Sequence, residues 1–292
     1  MAVSVAHGTL TLIGAGALTA SSGRWLLPRT AAFLSGHGIV RLNYRQEQIP
    51  TAAGVLVAVL TLLYGLTLPL WDKYVPAFSL LPADRLPWLQ AYTSASAGVA
   101  LIGWLDDTAG DREIKGLRGH FREYRKRGIV TTGMLKAAGT CILALATACF
   151  GGGSMVRILL GWGVIVLSTN TVNLLDLRPG RAIKSYVMLL LILLAFTAET
   201  RMALVAQLPA LAGALLLFRP DLQGRLMLGD TGANSLGFAV GSACALTAPT
   251  GVLAAWALAL LALHAAAERI SLSVWIERRP VLRWLDRWGR PL

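Results

Sequence analysis

The sequence predicts an all-α, polytopic integral membrane protein that forms a single domain over residues 1–292. Hydrophobic residues make up 55% of the chain and charged residues only 14%, with a mean hydropathy of +0.60, whereas soluble domains carry about 25% charged residues. Apolar runs near the length of a membrane span recur from one end of the sequence to the other. The net charge of +12 is spread between these runs, which argues against a nucleic-acid partner and favours contact with anionic membrane lipids.

Nine apolar segments are predicted to be transmembrane helices. Several are short and contain glycine, as closely packed membrane helices often do. The first basic residue, Arg24, follows the first segment instead of preceding it, so this segment is interpreted as a retained helix with its N-terminus outside. The segments cover residues 4–20, 51–71, 89–105, 133–150, 155–172, 185–198, 202–218, 234–250 and 252–267.

The basic residues predict the orientation of these helices. If the N-terminus is outside, most of the 27 Lys and Arg residues fall on one side of the membrane, and this excess marks that side as cytoplasmic. We therefore expect a multi-pass protein of the plasma membrane. The connecting segments that carry the excess are 21–50, 106–132, 173–184, 219–233 and 268–292.

The last of these segments, 268–292, is predicted to be an amphipathic cytoplasmic tail. It places tryptophans among arginines and is too polar to span a membrane. Tryptophan prefers the headgroup level and arginine pairs with lipid phosphate, so the pattern favours an interfacial helix. A tail that only sets the topology explains the same pattern.

Two polar clusters follow the third apolar segment. Asp106 and Asp107 end it in "GWLDDTAGD", and ionisable groups at a membrane edge usually line a polar cavity, although both could simply end a helix in solvent. Lys115 and Arg118 then stand among glycines in "REIKGLRGHF". Cations beside exposed backbone N–H groups can bind a phosphate. The alternative is that this segment is a basic loop whose charges only fix the membrane topology.

Two further clusters lie on the same predicted side. "STNTVNLLDLRPGR" places Asn170, Asn173 and Asp176 at helical spacing on one face, where amides are costly unless they bond a polar ligand, a metal's water shell or a neighbouring helix. "LMLGDTGANSLGF" places Asp230 at the start of an apolar helix, with Thr231 as the predicted N-cap. An aspartate there can hold a divalent cation that bridges to phosphate, or can merely cap the helix.

Together, the four clusters favour magnesium-assisted transfer of a phosphorylated group to a lipid. Oxygen ligands suit Mg²⁺, cations hold phosphate, and a lipid acceptor explains the membrane setting. The rival interpretations are a carrier of phosphorylated lipids, which would use the same groups for binding alone, and a catalytically silent homologue within an envelope-assembly complex.

In these motifs the sequence resembles the polyprenyl-phosphate N-acetylhexosamine-1-phosphate transferases, as a divergent member. This family includes phospho-MurNAc-pentapeptide translocase and the bacterial GlcNAc-1-phosphate transferases. The resemblance rests on "NYRQEQIPTAAG", "DDTAGDREIKG", "NTVNLLD" and "GDTGANSLG", which occur in the family's order at similar spacing. It implies transfer of a sugar-1-phosphate from a UDP-sugar, usually a UDP-N-acetylhexosamine, to polyprenyl phosphate during cell-wall biogenesis. The products are polyprenyl-diphosphate-sugar and UMP, the cofactor is Mg²⁺ with Mn²⁺ as the alternative, and homodimers occur.

The resemblance also assigns roles to individual residues. Asp230 matches the magnesium-binding aspartate, and Asn173 lies in the metal-proximal asparagine motif. Asp106 matches the proposed base for the lipid phosphate, within an acidic pair completed by Asp107. Asp176 matches the carboxylate near the nucleotide. The substrate-binding candidates are Asn43, Lys115, Arg118, Asn170, Asn173 and Arg269.

Three departures from the family pattern leave the sugar open. The glycine-rich "DGxDGL" that follows the asparagine motif is "DLRPGR" here. The histidine-rich cytoplasmic loop near the C-terminus is missing, and only His264, Glu268 and Arg269 stand in its place. The histidine is better explained by helix packing than by a sugar contact. The translocase has ten spans, against the nine predicted here.

Overall fold

The computed structural model describes residues 2–75, 79–110 and 123–290, and this part of the chain is almost entirely helical. A hairpin of β1 (Val40–Leu42) and β2 (Gln48–Pro50) separates the first two helices. The long helices are α1 (Ala2–Gly36), α2 (Val55–Tyr74), α3 (Leu86–Ala109), α4 (Thr132–Gly151), α5 (Met155–Leu175), α6 (Arg181–Phe196), α7 (Thr200–Leu222), α8 (Gly229–Thr247) and α9 (Thr250–Ala267). Two short helices, α10 (Leu272–Arg278) and α11 (Pro280–Arg287), follow.

A long helix lies at each predicted apolar segment. Within the described residues, the five helices α2, α4, α5, α7 and α9 are long and apolar enough to cross a membrane. The prediction of a nearly all-α protein with membrane-type helices is therefore confirmed. The count of nine spans, the outside N-terminus and the interfacial tail stay predictions.

The helix ends differ from the ends of the apolar runs at two informative places. Helix α1 continues to Gly36, beyond the predicted end at residue 20, because polar residues such as Arg24 interrupt the apolar run without interrupting the backbone hydrogen bonds. Helix α8 begins at Gly229, before the apolar segment predicted from residue 234, and its polar first turn contains Asp230. Hydropathy marks contact with apolar surroundings, whereas a helix requires only regular backbone bonding.

Helix α8 lies at the centre of the fold and packs against α2, α3, α4, α5, α6 and α7. Almost all of its residues are buried. Its sequence is rich in Gly, Ala and Ser, and small residues let neighbouring helix backbones approach closely. Because other helices surround α8, its side chains do not contact lipid and do not need to be as hydrophobic as those of a lipid-facing span.

Two glycines one turn apart allow α8 to approach the backbone of α5 closely. A Cβ atom on Gly237 would lie 2.6 Å from the carbonyl oxygen of Ser168, and one on Gly241 would lie 2.8 Å from the Cα atom of Ile165. Both distances are too short for a carbon side chain beside backbone. The spacing is that of the small-residue motif of tightly packed membrane helices.

The C-terminal end of α8 is held by Arg157, which lies on α5. Its guanidinium donates hydrogen bonds to the carbonyl oxygens of Ala245, Leu246 and Ala248 at 2.9–3.0 Å. These carbonyls belong to the last turn of α8 and the residue that follows it, where helix carbonyls lack partners within the helix. A cation at that end also complements the helix dipole.

We predict that Gly237→Ala destabilises the protein, whereas Gly163→Ala does not. At Gly237 the new methyl group would meet the α5 backbone, and overpacking of this kind typically costs about 1–3 kcal/mol. At Gly163, also on a long helix, no described residue beyond the backbone of its own helix lies within 4 Å of the new Cβ, and alanine favours a helix by about 1 kcal/mol over glycine. Thermal unfolding in detergent measures the difference. Equal midpoints for the two variants would contradict the tight α5–α8 contact.

Candidate active site

A polar cavity of about 250 Å³ lies where several helices end. The end of α3, the loop after α5, the end of α7, the start of α8 and the β1–β2 hairpin all contribute to its wall. Among the described residues, four carboxylates and two guanidinium groups line it: Asp107, Asp176, Asp221, Asp230, Arg41 and Arg178. Three of the four carboxylates are those singled out in the sequence, which places separate motifs around one cavity.

Asp107 joins the end of α3 to the start of α8. Its Oδ1 atom accepts a hydrogen bond from the backbone N–H of Asp230 at 3.0 Å. Its Oδ2 atom accepts two from Thr231, from the backbone N–H at 2.9 Å and the hydroxyl at 2.7 Å. The carboxylate therefore satisfies N–H groups that the first turn of a helix leaves without partners. The prediction that Thr231 is the N-cap is wrong, because this residue lies inside the first turn and donates to a cap from another helix.

Asp106 faces a different partner from its neighbour. The Nζ atom of Lys136, on α4, donates to the Oδ2 atom of Asp106 at 2.8 Å and also to the Oδ2 atom of Asp230. All three side chains are partly accessible to solvent, with exposed fractions of 19–29%. One ammonium group thus bridges two carboxylates that belong to different sequence motifs.

The donor set at this bridge fits a hard divalent cation. Asp106 and Asp230 already direct oxygens at one positive charge, and Mg²⁺ is commonly held by one or two carboxylates together with water and substrate phosphates. The Oδ1 atom of Asn173 is buried and has no hydrogen-bond partner among the described residues. No group of three or more Asp, Glu, His or Cys side chains within that part of the chain forms a ready-made metal site. The residues therefore suit a metal that substrate phosphates help to hold.

Asp176 follows α5 directly and projects from the loop rather than from the helix. It is half-buried and lines the cavity. Burial raises the pKa of Asp176 well above its ordinary value, and the nearby charges of Asp221, Asp230 and Asp107 raise it further. A carboxyl group in this setting retains its proton more readily than an exposed aspartate and can donate as well as accept a hydrogen bond.

Asn43 holds the hairpin against the rest of the cavity. Its Nδ2 atom donates to the carbonyl oxygen of Gly224 at 2.9 Å and to Glu47 at 3.0 Å. Its Oδ1 atom accepts the backbone N–H groups of Arg45 and Glu47 at 2.8 and 3.0 Å. The amide oxygen and the amide nitrogen of Asn43 are therefore both bonded to protein groups. The residue was predicted to contact substrate, and in the structure it shapes the cavity wall.

The other candidates do not line the cavity or lie outside the described residues. Asn170 and Arg269 are exposed and Asn173 is half-buried, and none of the three lines the cavity. Lys115 and Arg118 fall outside the part of the chain that the structure describes. His264 pairs with the Leu260 carbonyl of its own helix at 2.8 Å, as expected of a histidine in helix packing.

Three residues that shape this site lie outside the four polar clusters of the sequence. Lys136 lies just inside the predicted apolar segment 133–150, and the cost of a cation at that depth is the signal that it has a partner. Arg41 donates to the backbone carbonyl of Asp107 at 2.7 Å. Asp221 accepts the N–H groups of Gly180 at 2.6 Å and Leu228 at 3.2 Å, which ties the loop after α5 to the start of α8. No local pattern distinguishes Arg41 or Asp221.

The fold and the cavity define a membrane-type helical protein with an acidic, cation-holding site at the ends of its helices. The family model of glycosyl transferase family 4 matches residues 89–248, which is more than half of the 292 residues. The chain belongs to this family, which is that of the phospho-MurNAc-pentapeptide translocase and GlcNAc-1-phosphate transferase-like enzymes. The protein is accordingly a transferase, and the resemblance seen in its motifs is confirmed. A comparison with curated proteins finds no match.

The family sets the general activity. It transfers sugar phosphates to polyprenyl phosphate, uses nucleotide-sugar substrates and is generally dependent on a divalent metal. The matched residues include Asp106, Asp107, Asn173, Asp176 and Asp230. Asn43 and Arg269 lie outside the matched range.

We predict that Asp176→Asn stabilises the protein at neutral pH. Because burial raises the folded-state pKa, ionisation of Asp176 costs the folded state more than the unfolded state, so stability falls as the pH rises above the ordinary aspartate pKa of about 4. The amide removes this cost. We expect the melting temperature at pH 7.5 to rise by a few degrees, and a change of 1 kcal/mol corresponds to about 2–4 °C in domains of 150–250 residues.

The matched control is Asp84→Asn, because the side chain of Asp84 is 77% exposed. Its melting temperature should follow that of the wild type at every pH. The gap between Asp176→Asn and the wild type should narrow as the pH falls towards 4. An Asp176→Asn variant that melts at or below the wild-type temperature at pH 7.5 would refute the raised folded-state pKa of Asp176.

Proposed function

We propose that the protein transfers a sugar-1-phosphate from a UDP-sugar to polyprenyl phosphate, with formation of polyprenyl-diphosphate-sugar and UMP. A UDP-N-acetylhexosamine is the donor that the family resemblance favours, in the service of cell-wall biogenesis. The observation that carries the proposal is the bridge of Lys136 between Asp106 and Asp230, beside a carboxylate-lined cavity in a member of this family.

Asp230 and Asn173 would hold the Mg²⁺ ion, with Mn²⁺ as an alternative, and Asp106 completes the oxygen set. The bound metal would neutralise the diphosphate and stabilise the departing UMP. Lys136 keeps a positive charge between the two carboxylates. That charge also lies where negative charge develops during phosphoryl transfer, and fixed charges of this kind need no reorganisation as the reaction proceeds.

In the proposed reaction an oxygen of the lipid phosphate attacks the β-phosphorus of the UDP-sugar. A new phosphorus–oxygen bond forms, the bond to the oxygen that bridges the two phosphates breaks, and UMP leaves with that oxygen. The second pKa of a phosphate monoester is about 6, so the attacking group is already largely dianionic at pH 7. Asp106 is therefore proposed to orient the attacking phosphate through Lys136 more than to remove a proton.

Asp107 and Asp176 have separate proposed tasks. Asp107 is buried and fully engaged with the first turn of α8, so it fixes the position of Asp230 and contributes to catalysis through that residue. Asp176 lines the cavity with a carboxyl group that favours the protonated form. It suits a hydrogen bond to the polar edge of the uracil ring.

We propose that the site faces the cytoplasm. If every long helix crosses the membrane, the ends of α1, α3, α5 and α7 and the starts of α2, α4, α6 and α8 lie on one side. The end of α3, the loop after α5, the end of α7 and the start of α8 line the cavity from that side. The excess of basic residues supports that side as the cytoplasmic one. The outside N-terminus, the plasma-membrane location and the interfacial tail belong to the same proposal.

The decisive assay supplies purified protein with Mg²⁺, undecaprenyl phosphate and a panel of UDP-sugars, and measures UMP. We predict that one or more sugars give UMP and that Asp230→Asn lowers the rate by about 10²–10³, the typical loss when one preorganised charged group is removed. Asp84→Asn, which is exposed, should retain the wild-type rate.

Two outcomes would contradict the proposal. Absence of UMP with every sugar, under conditions in which a known family member turns over, would favour a carrier or a silent homologue. Full activity of Asp230→Asn would remove this residue from the metal site even if the wild type is active.

A further inference from the structure

Arg178 lies within the loop in which the chain departs from its family's glycine-rich pattern. The loop after α5 is "DLRPGR" instead of "DGxDGL", and this loop forms one wall of the cavity. The side chain of Arg178 is 41% exposed and lines that wall. Arg178 takes the unspecified position of that pattern, and the departures around it are Leu177, Pro179 and Arg181. The loop therefore presents a long cationic side chain to the cavity.

The guanidinium of Arg178 has hydrogen-bond donors available to a ligand. Its Nη1 atom lies 3.6 Å from a carboxylate oxygen of Glu277 and 3.9 Å from one of Asp286. Both distances support electrostatic attraction but exceed the length of a hydrogen bond. Within the described residues, the side chain makes no hydrogen bond, although a guanidinium carries five N–H donors.

The other cation of the cavity, Arg41, is placed differently. It donates to the backbone carbonyl of Asp107 at 2.7 Å, and its Nε atom is buried without a partner among the described residues. Arg41 therefore serves the wall of the cavity. Of the two arginines among the described residues that line the cavity, Arg178 is the one whose donors remain accessible.

The C-terminal tail anchors the loop that carries Arg178. Asp286, whose side chain is 3% exposed, accepts two hydrogen bonds from Arg181, at 2.7 and 3.0 Å. It also accepts hydrogen bonds from Arg290 at 2.8 and 3.2 Å, and Arg290 donates to the carbonyl of Pro179 at 2.9 Å. Burial opposes ionisation of Asp286, but the hydrogen bonds from Arg181 and Arg290 overcome it and hold its pKa below the ordinary value.

A second anchor lies one turn further along α6. The Nζ atom of Lys184 donates to the carbonyl oxygens of Leu285, Asp286 and Trp288 at 2.7–3.0 Å. Leu285 and Asp286 lie in the last turn of α11, and Trp288 follows it. A cation at this end bonds carbonyl groups that have no partner within the helix. The tail thus contacts both sides of the "RPGR" turn, and its carboxylates set the direction in which Arg178 can extend.

We propose that Arg178, positioned by the C-terminal tail, binds a diphosphate oxygen of the nucleotide-sugar. This inference rests on the proposed function. Apart from Arg178 and from Arg41, whose guanidinium serves the wall, the charged side chains of the described residues that line the cavity are four carboxylates. These carboxylates would repel an anionic donor substrate without a further cation. A planar guanidinium with available donors is suited to a diphosphate, because it can form two parallel charge-assisted hydrogen bonds.

The test measures binding rather than turnover, by titration of UDP, UMP and uridine into the purified protein in detergent with Mg²⁺ present. Arg178→Ala should raise the Kd for UDP on the order of tenfold or more, since the loss of one charged hydrogen-bonding group commonly has that effect. The Kd for uridine should not change. Arg178→Lys should recover part of the UDP affinity, because lysine retains the charge but not the planar geometry.

Arg283→Ala is the matched control. Arg283 is an exposed arginine of the same tail, and its side chain forms no ion pair within the described residues. This variant loses the same charge and should bind UDP as the wild type does. An unchanged Kd for UDP in Arg178→Ala overturns the proposal. So does an equal loss of affinity for uridine, which would indicate a disturbed cavity instead of a lost diphosphate contact.

The role of the tail has its own test in Asp286→Asn. A folded Asp286→Asn variant should lose affinity for UDP while it retains affinity for uridine, and an unchanged ratio of the two Kd values overturns the positioning role. If that variant does not fold, Lys184→Gln weakens the same anchor at a less buried residue and is judged by the same ratio. A wild type that forms no UMP defeats the proposed function, whereas an active wild type with an unaffected Arg178→Ala defeats this inference alone.

Discussion

The site depends on one buried carboxylate that accepts the first free N–H groups of another helix. Asp107, at the end of α3, bonds the backbone of Asp230 and Thr231 and thereby fixes the start of α8. A charged cap of this kind complements the positive end of the helix dipole. Its neighbour Asp106 is consequently held beside Asp230, and Lys136 bridges them. Two consecutive aspartates thus have different partners: Asp107 caps α8, and Asp106 shares Lys136 with Asp230, where the proposed chemistry takes place.

The rest of the fold brings α8 to that position. A Cβ atom on Gly103 would lie 2.7 Å from the Cα atom of Thr231, so α3 reaches α8 only because the residue is glycine. Arg157 holds the opposite end of α8 through its last carbonyls. A helix that is enclosed along its length and fixed at both ends places its first turn reproducibly, as a preorganised charged site requires.

Hydropathy and motifs predicted much of this arrangement from sequence. The positions of the long helices follow from the apolar segments, and Asp107, Asp176 and Asp230 were expected near one another and share a cavity. The separate roles of Asp106 and Asp107 could not be predicted. Adjacent helical residues point in different directions, but the sequence does not say which partner lies in each direction. The anchoring of the tail on Arg181 and the tie made by Asp221 also depend on contacts far apart in sequence, which no local pattern encodes.

The central claim is that the phosphate nearest the sugar moves together with the sugar to the lipid. The most direct measurement supplies undecaprenyl phosphate and a UDP-N-acetylhexosamine radiolabelled in its β-phosphate, then separates lipid from water-soluble products. The account predicts that the label passes into the lipid fraction while unlabelled UMP accumulates in water. Label that remains in water as UDP, with sugar alone on the lipid, or label released as a free sugar phosphate, would contradict it.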